Sequence, residues 1–321
     1  MVGTRVAPDN NDLVVWKLDD AAAPFVNSST SPSAPSHAVS DLATLSGSPL
    51  LRQPSLFAAS GTNSCVLFTG NQSGSPRNFI SGANNFIPQP PITVSMWYFL
   101  RAYNSSGLTQ HGLTKQTTTG NWSGVLFGSV DLAQSRTYIS SSNSNAFDFY
   151  FNTGSSQPGA NGVVPAEYSI PLHTWSHIGM TYDGTTSFSY VNGNQVGSSV
   201  ASPTGNIFYS GTPGPWFIGA IPSGSGSPEE SSASYCDIRI ANVVRPQSYF
   251  ANIYQQGVFN NTGQIAVITT FFKMRAYDLA LNTTPVYWVD TAISYANAPA
   301  SPSGAGLGPI EVMDKWNLLN V

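Results

Sequence analysis

Between Leu172 and Gly193 the chain sets two short apolar runs against two turn signals. Trp175, Ile178, Met180 and Tyr182 lead into Asp183-Gly184, and Phe188, Tyr190 and Val191 lead into Asn192-Gly193. Asp-Gly and Asn-Gly accept the positive φ angles of type I′ turns, so the stretch predicts two antiparallel hairpin turns in succession. Residues 92–100 alternate too, with Ile92, Val94, Met96 and Tyr98 on one face and Thr93, Ser95, Trp97 and Phe99 on the other. Aromatic residues on that second face predict a strand buried on both sides or lying under loops. Further strands are predicted at 13–20, 65–70, 124–128, 137–139, 146–151, 216–220 and 235–241. The Gly, Ser and Asn turns between them have the short spacing of a β-sandwich. Segments 27–37 and 224–228 read as loops.

The pattern changes after residue 257. Apolar runs at 265–268, 271–272 and 286–289 predict added strands, and 299–309, rich in Pro, Ser and Gly, reads as a linker. The last residues, 310–321, carry Ile310, Val312, Met313, Trp316, Leu318 and Leu319. Such an apolar arm needs burial, either by docking on a neighbouring subunit or by folding back on its own chain. The expected division is a sandwich domain at 1–257, a β-rich extension at 258–298, the linker at 299–309 and the arm at 310–321.

Composition narrows the setting. Charged residues make up 9% of the 321 residues, against about 25% in ordinary globular chains. Ser, Thr, Asn and Gly take their place, which suits a β-rich protein with a hydroxyl and amide surface, as on extracellular and virion-surface proteins. The net charge is −4 and the 12 Lys and Arg are scattered, which excludes counterion-release binding to nucleic acid. No apolar run approaches the roughly 20 residues of a membrane helix. The first residues lack the basic and apolar segments of a secretory leader, so synthesis in a host cytoplasm followed by display on a virion surface is expected. The alternative is an extracellular protein.

The order of segments carries a resemblance. Trp16-Lys-Leu-Asp19, Val66-Leu-Phe-Thr-Gly70 and Ile92-Thr-Val-Ser-Met-Trp97 come first. Trp175 to Gly193, Trp216-Phe-Ile-Gly219, Asp237-Ile-Arg-Ile240 and Ser248 to Gly257 follow. In this order they resemble the laminin G-like domains of the concanavalin A-like lectin/glucanase superfamily. The resemblance spans about residues 13–257 and implies an all-β, antiparallel jelly-roll β-sandwich, closed by a short helix at 248–257. Residues 258–321 lie beyond it, as a β-rich extension and apolar tail. The resemblance also sets the strands of Cys65 and Cys236 near each other in one sheet. A single bridge is thereby left open beside the reading of two buried thiols in a reducing compartment. Tyr235 and Cys236 stand where the family usually has a second acidic residue or Gly, which removes support for calcium there. Asp19, Asp20 and Asp183 are other available oxygens, short of the six to eight ligands calcium takes.

Little else suggests chemistry. Glucanases of this superfamily carry an E-x-D-x-E strand with paired carboxylates. The four Glu here, Glu167, Glu229, Glu230 and Glu311, have no acidic partner at i+2 or i+4, and neighbours such as Glu229 and Glu230 point to opposite faces of a strand. His173 and His177 flank Trp175, and His177 holds the family's structural W-x-H position, so a zinc site is not expected. Sequons at Asn27, Asn71, Asn104, Asn121, Asn260 and Asn282 are about as frequent as this Ser/Thr-rich composition produces by chance. The expectation is a protein that is not an enzyme and needs no cofactor.

Sugar binding is the family's usual alternative. It uses aromatic faces for stacking and amides for hydroxyls. Loop candidates are Trp122 with Asn121, and Tyr103 with Asn104. Tyr209 and Trp216 are weaker, since Trp216 opens a strand and reads as core. The expected role is a virion structural protein of a bacteriophage or another double-stranded DNA virus. It would be a capsid decoration, fibre or tail-associated component displaying a lectin-like jelly roll. Expected partners are other virion proteins or its own copies, and cell-surface glycan. The alternative is a free carbohydrate-binding lectin or adhesin module.

Overall fold

A computed structural model describes residues 3–57, 63–70, 78–82, 86–102, 110–117, 125–131, 146–151, 170–200, 204–209, 213–221, 229–258, 271–277, 285–292 and 310–312. The chain divides into two compact units, Arg5–Gly257 and Val258–Val321 together with Met1–Thr4.

The first unit opens with β1 (Asp12–Trp16), the short helix α1 (His37–Ser40), β2 (Thr44–Ser46), β3 (Leu50–Gln53), β4 (Cys65–Thr69) and β5 (Phe79–Gly82). It continues with β6 (Ile92–Leu100), β7 (Gln110–Thr117), β8 (Val125–Asp131), β9 (Ala146–Phe151), β10 (Trp175–Tyr182), β11 (Thr186–Val191) and β12 (Asn194–Val200). The rest comprises β13 (Pro213–Ile218), β14 (Ala220–Ile221), β15 (Glu229–Glu230), β16 (Ser232–Ala241) and the helix α2 (Gln247–Val258). One sheet runs β12-β11-β10-β6-β16-β4-β3, with β1 also paired to β16; the other runs β2-β5-β13-β7-β8-β9. All pairings are antiparallel among the described residues, as expected of a jelly-roll β-sandwich.

Alternation decides what each strand buries. Ile92, Val94, Met96 and Tyr98 of β6, and Ile178, Met180 and Tyr182 of β10, face the second sheet in the main core. The second sheet answers with Ile80, Leu113, Phe151, Trp216 and Ile218. Aromatic rings cross the gap: Trp16 meets Trp216 edge-on at 6.0 Å, and Phe151 meets Tyr182 at 5.6 Å. Each fully buried ring of this kind contributes about 1.5–3 kcal/mol from area removed from water.

The opposite face of β6 is also covered, as its aromatic residues require. The cover is a helix and an N-terminal strap rather than loops alone. Phe250 of α2 stacks on Tyr190 at 4.0 Å, and Tyr254 stacks on Trp97 at 6.0 Å. Val6 of the strap packs against the same outer cluster of Phe57, Cys65, Trp97, Cys236 and Ile253.

The two turns differ. Asn192 and Gly193 take φ of 52° and 81°, the type I′ arrangement. At Asp183-Gly184 a single residue, Gly184, has positive φ, at 101°. Asp183 Oδ1 accepts from the backbone N–H groups of Thr185 and Thr186 at 2.6 and 2.7 Å, so its carboxylate builds an Asx-type turn, and Tyr182 pairs with Ser187 rather than Thr185. The strand expected at 13–20 stops at Trp16, because Leu18 takes φ of 60°. The predicted strands at 137–139 and 265–268, and the loop at 224–228, lie outside the described residues.

The second unit contains a three-stranded antiparallel sheet ordered β18-β17-β19, formed by β17 (Phe271–Tyr277), β18 (Pro285–Ala292) and β19 (Ile310–Val312). Its register sets Lys273 opposite Asp290 and Arg275 opposite Glu311. Ile310 and Val312, the first residues of the expected arm, thus sit in a strand paired with β17 of the same chain. Met313, Trp316, Leu318 and Leu319 lie outside the described residues.

Candidate functional site

Tyr103, Asn104, Asn121 and Trp122 all lie outside the described residues. The strand that separates the two pairs is described. Gln110, following the first pair, and Thr117, preceding the second, stand at opposite ends of the eight-residue β7, roughly 23 Å apart at ~3.3 Å per residue. Trp216 is core: it is fully buried and its Nε1 donates to Phe86 O at 3.1 Å. Tyr209 packs against the same core, with its hydroxyl 3.5 Å from Pro88 O.

A different aromatic group lies at the β6 end from which Tyr103 and Asn104 follow. Trp175, the first residue of β10, is directly opposite Phe99 near the end of β6. Their rings are 5.3 Å apart, and the His173 ring is 6.3 Å from Phe99. Trp175 and Phe99 are half-buried and His173 is exposed. His173 holds φ of 55° while its backbone N–H donates to Leu100 O at 2.8 Å, pinning the approach to β10 against the end of β6. Trp175 packs on the outer cluster around Trp97. Arg101, exposed, continues the row, its backbone N–H donating to Ser232 O at 2.9 Å. Half-exposed rings beside an imidazole and a guanidinium can stack on the apolar face of a sugar and donate to its hydroxyls. This row was readable in part: Phe99 sits on the strand face expected to carry aromatics, and Trp175 recurs two residues after His173. Its assembly depends on the β6–β10 register, which periodicity does not reveal.

Eight acids are engaged in the fold: Asp9, Asp12, Asp19, Asp20, Asp41, Asp183, Asp237 and Glu230. Asp12, almost fully buried, lies 2.9 Å from Arg245 and 3.5 Å from Arg239. Burial pushes its carboxyl up, against the pull of Arg239. Asp237 pairs with Arg239 at 3.0 Å, and Asp9 with Arg245 at 2.6 Å. The Arg245 hydrogen bond holds Asp9 below its ordinary range. Asp19 binds Arg5 at 3.0 Å and the Asn63 N–H at 2.7 Å. Asp20 accepts from the Val26 N–H, Asp41 from the Asn27 N–H, and buried Glu230 from the Asn78 N–H at 3.1 Å. Asp183 serves its turn. The three oxygens considered for calcium therefore each already have a structural partner.

Two basic groups are buried deep in the fold. His177 lies under α2, its ring 5.1 Å from Trp97 and 6.2 Å from Phe250. Burial, with Arg239 nearby, pushes its pKa down to about 3, so the imidazole is neutral, and its Nδ1 has no hydrogen-bond partner among the described residues. Lys115 faces the core, Nζ donating to Gly214 O at 2.8 Å and lying 5.4 Å from the Trp216 ring centre. Burial brings its pKa down to about 7. Among the described residues no group of three or more His, Cys, Asp or Glu gathers to hold a metal, and no helix is long and apolar enough to cross a membrane.

Comparison with known proteins agrees with this architecture. The botulinum neurotoxin serotype G binding domain is similar over 83% of this chain, at 10% identity and a TM-score of 0.50. This chain spans 53% of that domain's length. Domain 4 of AbnA, an extracellular GH43 arabinanase from Geobacillus stearothermophilus solved with arabinotriose, aligns over 65% of this chain and 82% of its own, at 12% identity and a TM-score of 0.43. A heptameric SAP-like pentraxin from Limulus polyphemus aligns over 59% of this chain and 80% of its own, at 15% identity and a TM-score of 0.41. At 10% identity, the likeness to the botulinum neurotoxin domain speaks to fold alone. No curated protein matches the sequence. A family model described as the concanavalin A-like lectin/glucanases superfamily matches residues 74–248. With more than half of its length matched and the antiparallel sandwich in place, the chain belongs to the concanavalin A-like lectin/glucanase superfamily.

Proposed function

We propose that this protein is a non-enzymatic carbohydrate-binding jelly roll that serves as a virion structural component. The observation that carries the binding reading is the half-exposed row of Phe99, His173 and Trp175, with Arg101 beside it. Tyr103 and Asn104 follow Leu100 by three and four residues in the sequence, and Asn121 and Trp122 follow Thr117 by four and five; both pairs remain candidates beside this row. The non-catalytic reading is supported by the described carboxylates. Asp9, Asp12, Asp19, Asp20, Asp41, Asp183, Asp237 and Glu230 each accept a hydrogen bond or ion pair within the fold, whereas glycoside hydrolysis needs two carboxyl groups free to act on one bond. The virion reading, as capsid decoration, fibre or tail-associated protein, is supported by the charge-poor composition and the appended C-terminal sheet. Its partners are then other virion proteins or copies of itself, and glycan on a cell surface.

A glycan array probed with the full chain and with Trp175→Ala, Tyr103→Ala and Trp122→Ala tests the reading, with circular dichroism confirming each fold. The expected result is glycan binding by the unmodified chain that is lost in Trp175→Ala and Tyr103→Ala. Loss confined to Trp122→Ala moves the site to the other end of β7. An unmodified chain that binds no glycan overturns the binding reading, and sugar released from a bound glycan overturns the non-enzymatic one.

A further inference from the structure

Val66 of β4 is directly opposite Tyr235 of β16, and both side chains enter the main core. Continued one residue past this last pairing, the same antiparallel register brings Cys65 opposite Cys236. Alternation puts both on the other face of the sheet, where each is fully buried within the cluster of Phe57, Trp97 and Ile253. Both are free thiols. Opposed positions on antiparallel strands have Cα atoms about 4.5–5.5 Å apart, inside the ~4.4–6.8 Å window in which a disulfide closes without moving the backbone.

The N-terminal strap forms part of the cover over the pair. Arg5 of the N-terminal strap reaches Asp19 Oδ2 at 3.0 Å, Lys17 O at 3.2 Å and Ser64 O at 3.0 Å, and lies 5.0 Å from the Phe57 ring centre. Val6 packs beside it. The Cys65 thiol lies 3.0 Å from Pro54 O, toward which it donates. Burial pushes both thiols up, Cys65 to about 12, against a smaller opposing pull from Arg5. In the closed state they are therefore protonated and slow to react.

We propose that Cys65 and Cys236 are a latent cross-strand disulfide, held as thiols under reducing conditions and joined between β4 and β16 by a disulfide oxidant. Using oxidised glutathione, one cysteine thiolate attacks the glutathione disulfide, forming a mixed disulfide and releasing one glutathione thiol. The second cysteine then attacks the protein sulfur of that mixed disulfide, forming the Cys65–Cys236 bond and releasing the second. The protein loses two electrons and two protons, and oxidised glutathione takes them up. The bond closes a loop that contains most of the jelly roll, so it limits the unfolded chain more than the folded one.

The full chain is refolded with reduced glutathione or with oxidised glutathione, then trapped with acid for intact mass, thiol counting and peptide mapping. The expected oxidised product has lost two hydrogens, has no free thiol, joins the peptides of Cys65 and Cys236, and unfolds at a higher denaturant midpoint than the reduced form. Cys65→Ala and Cys236→Ala abolish the redox-dependent difference. Two thiols remaining after oxidative refolding, separate glutathione adducts on each cysteine, or bonds between chains would each overturn the proposal. Circular dichroism of each product confirms that the sandwich formed.

Discussion

The ring of Phe250 occupies the place a side chain at Gly179 would need: a Cβ built there meets Phe250 Cε1 at 2.1 Å. Gly179 lies in the middle of β10, between His177 and Thr181 on the outer face. A helix ring is thereby seated directly on a strand backbone, and α2 is held close enough to bury the face that carries Trp97 and His177. Gly179→Ala forces the ring or the helix outward and is expected to destabilise the protein by about 1–3 kcal/mol. Phe250→Leu introduced alongside restores part of that loss. Urea midpoints of the two variants decide it, since an Ala variant as stable as the parent means the helix is not packed on the strand.

Lys115 gives a pH dependence with a definite sign. Its pKa in the folded protein falls from 10.5 to about 7 through burial. The unfolded chain therefore binds more protons between those values, and stability rises with pH across that window. Below about 7 the charge on buried Lys115 imposes its full cost. Lys115→Met removes the titration, so its stability relative to the parent is expected to be most favourable at pH 6 and to decline toward pH 10. Denaturation curves at pH 6, 8 and 10 measure this, and a difference independent of pH refutes it.

Arg239 is 2% exposed and lies against Asp237 and Asp12, which are equally hidden. Removing it leaves two buried carboxylates short of a counter-charge. Arg239→Met is expected to cost about 3–5 kcal/mol, the usual price of breaking a buried pair from one side. Arg5→Met, whose partner Asp19 also accepts from Asn63, is expected to cost less. Equal losses in chemical denaturation would contradict the ranking.

Two truncations distinguish the residues after Val312 from the three-stranded sheet. A chain ending at Ala298 loses β19 together with the arm and leaves β17 and β18 as a bare hairpin, which is marginal in water. A chain ending at Val312 keeps the three-stranded sheet and removes Met313, Trp316, Leu318 and Leu319. If the arm docks on a neighbour, native mass spectrometry shows self-association for the full chain and monomers for the chain ending at Val312. Monomers from both would remove the assembly role of the arm.

Much of the framework was readable from local pattern. The Asn192-Gly193 turn adopts the expected angles because an αL-tolerant pair between two apolar runs leaves few alternatives. The second face of β6 was rightly expected to be buried, since Trp97 and Phe99 would otherwise sit in water. Its cover was not readable. The strap residue Arg5 and the ring of Phe250 come from opposite ends of the first unit, and nothing local links them to β6. The candidate aromatic row was missed for a similar reason, because His173, Trp175 and Phe99 become neighbours only through one strand register.

The sequence by itself determined the antiparallel sandwich, the double hairpin, the superfamily resemblance and the scarcity of acids suited to catalysis. These follow from alternation, turn chemistry and composition, all local properties of the chain. The tertiary structure alone decided that Cys65 and Cys236 share one buried cluster, that Phe250 rests on Gly179, and that Arg245 closes on Asp12 across 233 positions of sequence. Such contacts arise from sheet register and from the need to pair every buried charge. Both are conditions on the whole fold, and no single segment contains them.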